Sequence, residues 1–175
     1  MYPAIVRQIS WRFIVAFAVS LPLFLVGCNG AKALAKRAFK FEEAGQFEAA
    51  ANTYYTAVLK DRTNADATAG LQRTGQWVLD DKLQSFQVAV TTRNRAGAVS
   101  AYESADAYFE KIKSAGVALN FPESYRQQFS EVRDAHVSDL YNDGLQAMEQ
   151  ERFDAALSAF EEVLRLNPNY QDASQ

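Results

Sequence analysis

The chain has 175 residues, 49% of them apolar and 22% charged, enough for a folded domain with a real core and too apolar for a disordered polymer. A formal charge of −3 supplies no basic face, which excludes nucleic-acid binding through the phosphate backbone. With one cysteine and one histidine there can be no internal disulfide, and these side chains are too few for a zinc-type metal site.

Residues 1–12 carry Arg7 and Arg12 and no acid, and Phe13 to Gly27 (FIVAFAVSLPLFLVG) runs fifteen residues without a charge. A bilayer-spanning helix needs about 20 residues. A basic start, a shorter apolar middle and a small residue at the end make a signal-peptide pattern instead. Pro22 inside the run argues against a buried core helix. The four residues Leu25-Val26-Gly27-Cys28 resemble the bacterial lipobox. The resemblance implies that 1–27 is a lipoprotein signal peptide, that the chain is cut before Cys28, and that the Cys28 thiol carries the lipid. Residues 28–36 (CNGAKALAK) would then be the lipidated N-terminus and a short tether. Several acyl chains, at about 0.8 kcal/mol per buried CH₂, anchor a protein stably. Asn29 follows the cysteine where such lipoproteins retained in the inner membrane carry Asp. The resemblance therefore implies a periplasm-facing protein in the bacterial envelope, on the outer rather than the inner membrane. As a nucleophile Cys28 would need His136, which stands 108 residues away with no catalytic motif around either.

From Lys32 to Asn167 the apolar pattern has helical period: no stretch alternates at period two, and no Asn-Gly or Asp-Gly hairpin signal sits between apolar runs. It predicts an all-α fold of about six helices. The first covers 31–43, with Leu34, Ala38 and Phe41 on one face, and ends at Gly45-Gln46. The second, 47–60, lines up Phe47, Ala50, Tyr54, Ala57 and Val58. After the polar turn at Asp61–Asn64, the third runs 65–92 with Leu71, Leu79, Leu83, Phe86 and Val90. The fourth, 96–115, carries Ala98, Tyr102, Ala105, Phe109 and Ile112, and stops at Gly116. Pro122 opens the fifth, 122–149, with Tyr125, Phe129, Val132, Val137 and Leu140. The sixth, 152–166, carries Phe153, Ala156, Leu157, Phe160, Val163 and Leu164 before Asn167-Pro168.

The second and sixth helices repeat one another. GQFEAAANTYYTAVLKD (45–61) lies over ERFDAALSAFEEVLRLNP (151–168), matching Phe47 to Phe153, Ala50 to Ala156, Tyr54 to Phe160 and Ala57 to Val163. The preceding helices agree, with Leu140, Gly144 and Ala147 against Leu34, Ala38 and Phe41. Small residues at these positions let helices approach closely while aromatics fill the space beside them. The pattern resembles tetratricopeptide repeats, helix–turn–helix units of 34 residues, and Pro168 sits where that family closes its repeat. The resemblance implies a curved α-solenoid over 31–170. Its units are 31–64, a degenerate 65–116 with unusually long helices around it, and 122–170.

Signals for catalysis are weak. Gly70 to Gly75 (GLQRTG) has phosphate-loop spacing, but Gln76 stands where the lysine is needed and the segment is helical. His136 falls near an apolar stripe and is read as packed between helices. The pairs Glu42/Glu43, Asp80/Asp81 and Glu161/Glu162 do not converge on a helix and are read as solvated faces. No enzymatic activity, cofactor, metal or small-molecule substrate is expected. Binding remains. In tetratricopeptide arrays the first helix of each repeat lines the concave surface. The resemblance thus implies a binding face with Lys32, Lys36 and Phe39 from the first unit, and Tyr141, Asn142, Leu145 and Met148 from the third. The family's carboxylate clamp is not matched, since Ala35, Phe39 and Gly70 occupy three of its places. The implied function is a membrane-anchored, non-catalytic adaptor for a protein or peptide partner. The alternative is an obligate structural subunit of an outer-membrane or pilus assembly. Tyr170 reads as the start of a further helix, so either the sixth helix is left partly uncovered for a partner or the sequence is a truncated product.

Overall fold

A computed structural model describes residues 26–170. The signal-peptide expectation for 1–25, Leu25 of the lipobox included, lies outside the described residues. The described chain is all-α, with six helices: α1 (Val26–Glu43), α2 (Phe47–Lys60), α3 (Ala65–Thr91), α4 (Arg95–Ser114), α5 (Glu123–Glu149) and α6 (Phe153–Leu166). From α2 onward the boundaries fall within a residue of those expected, because Gly45, Asn64, Gly116 and Pro122 break the periodic pattern where the chain turns. The exception is the start of α1. Residues 28–36, expected as a tether, are helical, and Ala31 and Ala35 are buried. No proline interrupts CNGAKALAK, and the Asn29-Gly30 pair, a turn signal by itself, is taken into the helix, where Gly30 leaves room for the Lys60 side chain, whose Nζ would stand 3.2 Å from an added Cβ.

The internal repeat extends to the backbone. α1 pairs with α2, and α5 with α6. α2 and α6 are each 14 residues long. The residue before each has nearly the same dihedrals, φ −88 and ψ 65 at Gln46 against φ −90 and ψ 68 at Arg152. The residue after each is extended, Asp61 at φ −150 and Asn167 at φ −147. Both hairpins turn on a left-handed residue, Gly45 at φ 72 and Glu151 at φ 58. The following N–H closes back five residues in each, Gln46 to the Phe41 carbonyl at 2.8 Å and Arg152 to the Ala147 carbonyl at 2.9 Å, the bond of a Schellman cap. Glycine holds this conformation without steric cost, whereas a side chain there costs about 1–2 kcal/mol. Glu151→Gly is therefore expected to raise stability by about 1 kcal/mol once glycine's greater chain entropy is subtracted. The midpoint of chemical denaturation measures it, and an unchanged midpoint would refute the strain.

The described residues form two compact units. The chain up to Val78 with Ile112–Ala118 makes the first, and Leu79–Lys111 with the chain from Leu119 makes the second. In the first, Ala38, Ala50, Ala57, Val58 and Leu71 are fully buried or nearly so. Thr74 is buried with its hydroxyl donating to the Gly70 carbonyl at 2.7 Å, so burial leaves no unmet polar atom there. The second unit is organised by aromatic rings. Phe86 is fully buried, with Tyr102 edge-on at 5.7 Å and Tyr125 tilted at 6.1 Å. Tyr102 also stacks on Phe129 at 3.8 Å. Arg126 lies 4.7 Å over the Phe121 ring and pairs with Glu123, a placement that keeps its charge wet while its stem covers the cluster.

The repeat-packing residues divide. Ala38, Ala50, Tyr54, Ala57, Gly144 and Ala156 are buried, and Phe47 and Phe160 are half-buried. Phe153, expected to pack like Phe47, is 66% exposed, and Pro168 is exposed too. The reason is a neighbour. Phe47 stacks on Trp77 of α3 with centroids 4.6 Å apart, and among the described residues no ring takes that place at Phe153.

Candidate functional site

Three of the residues expected on a binding face come together in the first unit. Lys32, Lys36 and Phe39 follow one another along α1 at spacings of four and three, which puts them on one stripe of the helix. They line an open groove of about 590 Å³, with Tyr54 from α2, Asn64 before α3, and Asp66, Gly70 and Arg73 on α3. Asn64 caps α3 by accepting the Ala67 N–H at 3.0 Å, with Asp66 in the first turn where the helix dipole favours an acid. Gly70 matters for its missing side chain. A Cβ there would stand 2.3 Å from the Tyr54 ring, so glycine alone lets the aromatic ring lie against α3.

A polar network fixes this wall. The Tyr54 hydroxyl donates to Glu42 Oε2 at 3.0 Å, and Arg73 grips the same carboxylate through Nε and, at 2.9 Å, Nη2. Arg73 holds the Glu42 carboxyl below its ordinary value of 4.5. Burial and the Glu42 carboxylate push the Tyr54 phenol up to about 12. Near neutral pH neither group exchanges a proton, so both serve as fixed structure. Because Glu42 is depressed in the folded chain, its contribution is complete above 4.5 and is lost as pH falls through the folded value. Tyr54 acts in the opposite direction, its contribution falling as pH rises from 10 toward about 12. Glu42→Gln is expected to cost about 1–2 kcal/mol at pH 7 and to flatten the acid limb of the stability profile. Urea midpoints measured at neutral and acid pH check this, and an acid limb as steep as in the parent chain would contradict it.

With Glu42 satisfying Arg73, the remaining charge of the groove comes from two exposed lysines against one aspartate, Asp66. Lys36 has no carboxylate within ion-pair distance among the described residues, and Lys32 acts on Asp61. Phe39 is 49% exposed and offers an apolar contact beside the lysines. The combination suits a segment carrying a carboxylate and an apolar side chain.

The four residues expected from the third unit lie on α5. Tyr141 is half-buried against Phe160 at 5.7 Å and Tyr170 at 5.4 Å, so it serves packing more than contact. Asn142, Leu145 and Met148 are exposed, the last two at 42% and 50%. Val26, Gly27 and Cys28 belong to the backbone of α1.

Sequence reading missed Glu42, Asn64, Asp66 and Arg73. All three acidic pairs are expected to be solvated, yet one member of two of them is held in an ion pair: Glu42 turns to Arg73 and Glu162 to Arg165, whose Nε donates at 2.7 Å. Arg165 also reaches Glu103 at 2.7 Å. Gly70 to Gly75 lies wholly inside α3, as the helical pattern implied. His136 is half-buried near Glu162. Among the described residues no group of three or more His, Cys, Asp or Glu is placed to hold a metal ion, and no helix is long and apolar enough to cross a membrane. No protein-family model, curated protein or solved structure matches the chain.

Proposed function

We propose that the protein is a lipid-anchored, tetratricopeptide-like adaptor of the bacterial envelope whose first unit binds a protein segment. One observation carries the reading: Lys32, Lys36 and Phe39, chosen from the repeat pattern, line a single open groove. In this reading Cys28 becomes the first residue and carries the lipid. Since α1 already includes position 28, the lipid would join the first helix directly. The periplasmic face of the outer membrane is the proposed location.

A peptide bearing one acidic and one aromatic residue is the direct test. Phe39→Ala and Lys36→Glu should each weaken its binding by about tenfold while leaving helicity unchanged, as read by fluorescence anisotropy and circular dichroism. Equal affinity of parent and variants would remove the groove from the reading.

A second reading, an obligate structural subunit of an envelope assembly, is favoured by a different observation. α6 keeps Phe153 and Leu157 exposed at 66% and 59%, side chains that a self-sufficient domain usually covers.

A further inference from the structure

The two helical hairpins match closely enough for each to be read against the other. In the first unit the outer face of α2 is covered. Phe47 stacks on Trp77, the Tyr54 ring lies on Gly70, and Ala51 and Val58 are each 1% exposed. The matching residues of α6 are Phe153, Phe160, Leu157 and Leu164. The counterpart of Ala51 is Leu157, 59% exposed, and among the described residues no ring stacks on Phe153 as Trp77 does on Phe47. At the positions where α2 is covered, α6 carries side chains that are as apolar or more so, Leu157 against Ala51 and Phe160 against Tyr54.

We infer that this face of α6 docks an amphipathic helix of a partner protein, one that presents an aromatic side chain to Phe153 and carries basic residues beside its apolar positions. The aromatic follows from the Phe47–Trp77 stack, which shows what fits over a phenylalanine at this place in the hairpin. The basic residues follow from charge. Asp154 and Glu161 are exposed on the side of α6 next to Phe153 and Leu157, and neither forms an ion pair among the described residues. A second copy of this chain is the poorer occupant, because pairing α6 with itself would set those acids against each other. Met148 also replaces Glu42 of the first hairpin and is 50% exposed, so the incoming helix needs an apolar residue where α3 has Arg73. The inference takes from the second reading only the existence of a docking face and adds the chemistry of its occupant.

The test uses the detergent-solubilised full chain, with micelles alone as the blank, and two dye-labelled amphipathic helical peptides of about 20 residues. They share the same apolar residues and one tryptophan, and differ in having lysines or glutamates at the flanking positions. Anisotropy should show the lysine peptide binding about tenfold or more tighter than the glutamate peptide. Leu157→Glu and Phe153→Ala should each weaken it about tenfold with helicity unchanged. Asp154→Lys with Glu161→Lys should invert the preference, and Phe39→Ala in the groove should change nothing. The proposal is overturned if neither peptide binds, if charge reversal has no effect, or if Phe39→Ala rather than Leu157→Glu abolishes binding. A concentration-dependent dimer in sedimentation, lost in Leu157→Glu, would assign the face to a second copy and overturn it equally. The obligate-subunit reading fails separately, if the chain alone melts cooperatively as a monomer.

Discussion

On the proposed lipoprotein reading, replacing Cys28 with Ala is expected to abolish lipid attachment and leave the chain as an unprocessed precursor. The sulfur of Cys28 is the only thiol in the sequence, and neither alanine nor any neighbour can form the thioether that lipoprotein acylation requires. If the chain is a lipoprotein as proposed, the loss is complete rather than partial, because cleavage before Cys28 would depend on lipid attachment. Two measurements read it: incorporation of labelled palmitate, which should vanish, and the mass of the purified chain, which should retain residues 1–27. Membrane affinity should also fall, since a fifteen-residue apolar run is shorter than the roughly 20 residues of a stable span. The proposed acyl chains would contribute about 0.8 kcal/mol per buried CH₂. A Cys28→Ala chain that is trimmed and labelled like its parent would sink the lipoprotein reading and leave the groove untouched. Conversely, loss of peptide binding in Phe39→Ala with normal lipidation would locate recognition in the helices alone.

The helices were legible because the breakers are local. Gly45, Gly116 and Pro122 act on their own dihedrals or on the residue beside them, so their effect needs no knowledge of packing. The hairpin repeat was legible for a related reason: small residue and aromatic recur at fixed steps wherever two helices must approach. Phe153 shows the limit. Its local pattern is that of Phe47, and the difference lies in Trp77, 30 residues after Phe47 and on another helix. The Glu42–Tyr54–Arg73 network was hidden by separation, its members standing 12 and 31 residues from Glu42, distances that only the packing of three helices closes. The division into two units was equally silent, since it falls within α3, between Val78 and Leu79, where the helix runs on without a break. The beginning of α1 was misjudged because one short stretch carries both a cleavage pattern and an unbroken helical one.

Gly70→Val is expected to damage core and groove together, lowering stability by about 3 kcal/mol, the upper end of the overpacking range. The Cβ alone would stand 2.3 Å, 2.4 Å and 2.7 Å from three atoms of the Tyr54 ring, and valine adds two methyl groups beyond it. The ring has little freedom to yield. Tyr54 is 3% exposed, and its hydroxyl is tied to Glu42, so a shift large enough to clear the clash also breaks that bond. Glu42 would then keep Arg73 but lose its second donor, and the wall opposite Lys36 and Phe39 would move. Valine's slightly better helix propensity returns only a few tenths of a kcal/mol. Gly144→Val provides the matched control in the second unit. Its Cβ would meet the Phe160 ring at 2.7 Å, so a similar loss of stability is expected with no effect on the groove of the first unit. Chemical denaturation measures the first effect, and peptide anisotropy under conditions where the chain remains folded measures the second. If Gly70→Val and Gly144→Val weakened groove binding equally, the effect would be general destabilisation, and the role assigned to Tyr54 in the groove's wall would be lost. If only Gly70→Val does so, a single missing side chain on α3 is what gives the groove its shape.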